Sequence, residues 1–79
     1  METTPEDLAF IREFGERMRA ARDATDLTQE QLAEQAGVDP TTVGKIERGV
    51  GNPRLLTISK IILALEQDFA DVFPCPPER

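Results

Sequence analysis

Seventy-nine residues allow one small domain, in which folding hides only about 60–65% of the surface that an extended chain exposes. Nine Lys and Arg against fifteen Asp and Glu give a net charge of −6, which argues against a non-specific coat for nucleic acid. With no His and a lone Cys75 there is neither an intramolecular disulfide nor the usual ligand set for zinc, and no P-loop, Gly-rich dinucleotide turn or nucleophile–base pair points to an enzyme. No apolar run reaches the roughly 18 residues of a membrane span, and no signal peptide is indicated. A cytoplasmic protein without metal or cofactor is expected, organised as one domain over residues 1–79 with its core in 7–73 and a flexible tail in 74–79.

Thr4-Pro5-Glu6-Asp7 opens the first helix, with Thr4 as cap, Pro5 at the first position and acids in the first turn. That helix is predicted to run to about Ala24, with Ile11, Phe14, Met18 and Ala21 as its buried stripe. Leu8 and Phe10 lie at its start, where Phe10 either folds onto the domain or meets a second subunit.

The stretch Gln29 to Ile46, QEQLAEQAGVDPTTVGKI, reads as two short helices. Thr28 followed three residues on by Gln31 is a capping box, and Gly37 is the residue type expected just past a helix end. Asp39 caps a second helix with Pro40 at its first position. Only about three residues separate the two helices, so they cross steeply, as in a helix-turn-helix. Leu32, Ala36, Val38, Val43 and Ile46 form the apolar joint, and Ala33 allows close approach.

Gly49-Val50-Gly51-Asn52-Pro53 is a loop of turn formers. A fourth helix follows from about Leu55 to Leu65, with Leu55, Ile58, Ile61, Ile62 and Leu65 as a wide apolar face. Glu66-Gln67 carries no glycine to stop it, so it is expected to run on or to end less sharply. Asp68 caps a short fifth helix from Phe69 to Phe73, closed by Pro74.

Together, LTQEQLAEQAGV, TVGKIERG and the following NP resemble the lambda-repressor/Cro-like helix-turn-helix family of bacterial and phage regulators, over roughly Phe14 to Phe73. The resemblance implies a compact all-α domain of five helices, with the helix-turn-helix at helices two and three and double-stranded DNA as partner. It also implies that Arg22 pairs with Glu47, that Gln29 meets a phosphate, and that Arg54 reaches toward the minor groove. Val43 and Ile46 fix the core side of the third helix, leaving Pro40, Thr41, Gly44, Lys45 and Arg48 on the other. Lys45 is then suited to guanine, and Thr41 and Thr42 to a base edge or a thymine methyl. Arg48 and the backbone near Asn52 are phosphate candidates. Leu65, Phe69, Val72 and Phe73 make an apolar patch expected to build a homodimer on a palindromic operator, as in Cro-like or restriction–modification controller proteins. The competing reading is an antitoxin-like or adaptor helix-turn-helix whose main partner is a protein. The net charge and the thin reading surface favour it.

Overall fold

The structure, a computed structural model, describes residues 2–74. Five helices follow in order, α1 (Pro5–Ala24), α2 (Gln29–Ala36), α3 (Pro40–Glu47), α4 (Leu55–Ala64) and α5 (Phe69–Val72), with no strand among the described residues. The fold is all-α, with the helix-turn-helix at α2 and α3. Cys75 and the rest of the expected tail lie outside the described residues, while Pro74 is buried rather than part of a loose end.

Local chemistry sets most of the helix ends. Thr4 Oγ1 accepts the Asp7 N–H at 3.1 Å, and the Asp7 carboxylate accepts the Thr4 N–H at 2.9 Å. Thr28 and Gln31 repeat this reciprocal cap at 3.0 and 2.9 Å, and Asp39 accepts the Thr41 N–H at 2.8 Å. Such caps satisfy N–H groups that a helix cannot pair internally. At the other ends, α2, α3 and α4 close with one shared pattern. The N–H groups of Gly37 and Val38, of Gly49 and Val50, and of Glu66 and Gln67 turn back to carbonyls of the last helical turn. The pivotal residue of each is left-handed: Gly37 at φ 73°, Gly49 at 70° and Glu66 at 56°. Thus α4 stops at Ala64 without a glycine, and it does not run on. Its closing bonds hold Glu66 in a conformation that costs a side-chain-bearing residue about 1–2 kcal/mol.

The core joins Phe14 and Met18 of α1, Leu32 and Ala33 of α2, Val43 and Ile46 of α3, Ile58, Ile61 and Ile62 of α4, the adjoining Leu65, and Val72 of α5. Each large side chain buried this way contributes roughly 1.5–3 kcal/mol. Ile11 and Ala21 are half-buried at the margins of the α1 stripe. Leu55, the first residue of α4, departs from the expected face and is 73% exposed.

The C-terminal apolar residues also sort differently from the expected dimer patch. Leu65 and Val72, at 2% and 1% exposure, belong to this chain's own core and are unavailable to a partner. Phe73 sits within an aromatic group, its ring centroid 4.7 Å from Phe14, 5.8 Å from Phe69 and 6.3 Å from Phe10. Phe10 therefore folds onto the domain, and Arg17 Nη1 donates to the Phe73 carbonyl at 3.3 Å. Of the four residues in that patch, only Phe69 remains exposed.

α3 packs between α1 and α2, and Gly15 is what permits the α1 crossing. A Cβ built there would clash with the Ile46 carbonyl oxygen and lie 3.0 Å from that of Glu47. Backbone cannot step aside as a flexible side chain does, so Gly15→Ala forces α1 off α3. Despite the better helix propensity of Ala, this substitution is expected to destabilise the domain by about 1–3 kcal/mol in denaturant unfolding. A neutral or stabilising Gly15→Ala would show that the two helices do not approach this closely.

Candidate nucleic-acid interface

The outward side of α3 is set by what lies behind it. Glu47 ends the helix with a side chain only 4% exposed, and a carboxylate there needs partners. Arg22 Nε donates to its Oε2 at 2.7 Å and Nη2 to its Oε1 at 2.9 Å. The remaining Arg22 nitrogen, Nη1, donates to the Leu27 carbonyl at 2.8 Å, and Gln29 Nε2 donates to Glu47 Oε1 at 3.1 Å. One buried carboxylate thus joins the end of α1, the α1–α2 connection, the start of α2 and the end of α3. Burial by itself pushes the Glu47 carboxyl up, but the hydrogen bonds from Arg22 and Gln29 and the Arg22 charge outweigh it and hold it below its ordinary 4.5.

With Glu47, Val43 and Ile46 turned inward, Thr41, Lys45 and Arg48 stand exposed along the opposite stripe. Neither Lys45 nor Arg48 forms an ion pair among the described residues. Gln29, Thr41, Gly44 and Arg48, with Glu30 and Pro40, line one open notch of about 260 Å³ between the starts of α2 and α3. Lys45 flanks the notch on the exposed side of α3. Thr42 is half-buried and off this stripe.

The remaining two residues lie apart. Arg54 is exposed at the N-cap position of α4 without a capping hydrogen bond from its side chain. Asn52 is exposed in the α3–α4 loop, where it lines a small apolar hollow of about 70 Å³ with Phe10, Ile11 and Val50. Arg19, on α1, is solvated and lies 4.0 Å from Asp23.

Two features escape a reading of the sequence. Gln29 is anchored to Glu47 eighteen positions away, and no local pattern announces that. Gly15 is a glycine inside a helix, a position that is unfavourable unless packing requires it, and that signal was available.

The buried junction yields a double test. Arg22→Ala or Glu47→Ala strands a charge and is expected to remove about 3 kcal/mol or more, while the double variant loses less than the two losses combined. Because the folded Glu47 carboxyl is lowered, its stabilisation is complete above 4.5 and disappears as pH falls through the folded value. The gap in thermal stability between wild type and Glu47→Gln is therefore expected to be widest near neutral pH and to narrow below 4.5. A gap that stays constant down to pH 3 would contradict the assignment.

Comparison with known proteins agrees with this architecture. A helix-turn-helix family model matches residues 18–77. The chain is 37% identical over 60 residues to the uncharacterised HTH-type transcriptional regulator RghRB of Bacillus subtilis, covering 75% of this chain and 43% of that protein. It is 40% identical over 57 residues to the HTH-type transcriptional repressor RghR of the same organism, covering 71% of this chain and 42% of that one. It thus spans about two fifths of the length of these relatives. Among solved structures, the restriction-modification controller protein C.AhdI from Aeromonas hydrophila superposes with a TM-score of 0.78 at 40% identity, covering 82% of this chain and 98% of that one. The chain belongs to the helix-turn-helix family.

Proposed function

We propose that the protein is a sequence-specific, double-stranded DNA-binding transcriptional regulator that inserts α3 into the major groove. The observation that carries this reading is the outer stripe of α3. The side chains of Thr41, Lys45 and Arg48 form no hydrogen bond or ion pair among the described residues, and they stand beside the N-terminus of α2 on a helix whose other side packs into the core. An inserted helix reads base edges from its N-terminal half, while flanking groups hold the phosphates. Lys45 suits guanine O6 and N7, and Thr41 a base edge. Gln29, at the start of α2, is proposed to meet a phosphate there, where free N–H groups already favour an anion. Arg54 and Asn52 are proposed as outer backbone contacts. The repressor and controller roles of RghR and C.AhdI point the same way.

Selection of bound fragments from a random duplex pool, followed by titration of variants, tests the reading. Lys45→Ala is expected to cost about 1–3 kcal/mol and relax preference at one base pair, whereas Gln29→Ala weakens all sequences alike. Unchanged affinity and preference for Lys45→Ala on the selected site would show that α3 is not the reading element.

The reading extends to a homodimer. Two copies related by a twofold axis would set their recognition helices about 34 Å apart, one turn of a palindromic site. With Leu65 and Val72 internal, the surface supporting this is Leu56 and Leu63, two turns apart on α4, together with Phe69. Leu63 is 70% exposed and Leu56 66% exposed, on a helix whose other side carries the buried Ile58, Ile61 and Ile62. Sedimentation at micromolar concentration is expected to give a dimer that Leu63→Glu dissociates. A wild-type monomer that fills one half-site with full affinity would remove the dimer.

A further inference from the structure

Gly44 lies in the middle of the outward stripe of α3, one turn before Arg48. Side chains of a helix lean toward its N-terminus, so Arg48 leans back over position 44. A Cβ built at Gly44 would lie 3.0 Å from Arg48 Nη1 and 3.3 Å from Gln29 Oε1, its nearest neighbours. The guanidinium is therefore seated against bare helix backbone, beside the Gln29 amide and within the notch shared with Thr41. That is a full turn closer to the base-reading half of the helix than the position of Arg48 in the sequence suggests. Glu47, its sequence neighbour, is turned away and committed to Arg22 and Gln29. Glu30, the one acid lining the notch, forms no ion pair with Arg48.

We propose that Arg48 reads a guanine in the major groove, and that Gly44 is a specificity-determining position because its missing side chain lets the guanidinium reach that base. The proposal rests on the DNA-binding reading above and replaces a phosphate role for Arg48. Its chemistry is the match between a planar fork of N–H donors and the O6 and N7 acceptors of guanine, which an ammonium does not reproduce. A glycine inside a helix is unfavourable relative to alanine. Here the atoms nearest the space it leaves belong to the two polar side chains of the notch, Arg48 and Gln29.

The test takes the duplex selected by the wild-type protein and a panel of its single-base-pair variants, with affinities read by fluorescence anisotropy. Arg48→Ala and Arg48→Lys are expected to lose discrimination at one G·C pair by roughly five- to hundredfold while keeping the remaining preferences. Gly44→Ala, whose thermal stability should not fall, is expected to lose part of the discrimination at the same pair, and to add nothing there in an Arg48→Ala background. Uniform weakening across the panel by Arg48→Ala would make it a phosphate clamp and overturn the proposal. So would a Gly44→Ala that leaves that pair unchanged, or one that acts equally without Arg48. A wild-type chain that selects no sequence at all would instead overturn the DNA-binding reading, and this proposal with it.

Discussion

A carboxylate buried where three helices meet is the constraint on which the rest of the structure depends. The Glu47 side chain is only 4% exposed and is tolerated there because Arg22 and Gln29 hydrogen-bond both of its oxygens. Its partners come from the end of α1 and the start of α2, so α3 has one rotation about its axis that keeps the charge satisfied. A hydrophobic substitute at this junction would hold the helices together equally well. What the ionic junction adds is orientation, since a fork and a carboxylate accept little misalignment. Gly15 serves the same end from the other side, by bringing the α1 backbone against the last turn of α3.

That fixed rotation fits the proposal that an acidic protein offers one face to DNA. Residues 25–65 carry four basic and five acidic groups, so the middle of the chain is nearly neutral while both ends are more acidic. Arg22 is spent inside, and Lys45 and Arg48 are left outward with no acid paired to them among the described residues. Few free cations mean little gain from counterion release, so affinity for arbitrary sequence should be low and discrimination must come from specific contacts. The small residues of the stripe fit that economy. Gly44 and Thr41 leave a concave surface instead of a row of long side chains, and the guanidinium of Arg48 folds into it.

The helices were legible in the sequence because their signals are local. Thr4, Thr28 and Asp39 cap the helices they precede, and Gly37 and Gly49 close those they follow. Glu66 shows the limit of such reading. The absence of glycine suggested a longer helix, yet the closing hydrogen bonds and the burial of Leu65 and Val72 hold Glu66 left-handed. Leu55 shows another limit, since periodicity marks a face but not how much of it is covered. In the patch of Leu65, Phe69, Val72 and Phe73, the burial of Leu65 and Val72 was not legible, nor was the packing of Phe73 on Phe10 and Phe14, more than fifty residues away. At the site, Thr41, Lys45 and Arg48 were legible as a stripe. The notch and the seat of Arg48 on Gly44 arise from α2 and α3 meeting, which no single helix encodes.

The central claim is that the junction at Glu47 presents one face, the outer stripe of α3 with the start of α2, to double-stranded DNA. Amide NMR of the labelled protein, titrated with a selected duplex, tests this most directly. The account predicts that shifts concentrate at Gln29, Thr41, Gly44, Lys45 and Arg48, while the exposed side of α1 around Glu16 and Arg19 stays unmoved. Perturbations confined to α4 and α5, or none at all with any duplex, would contradict it.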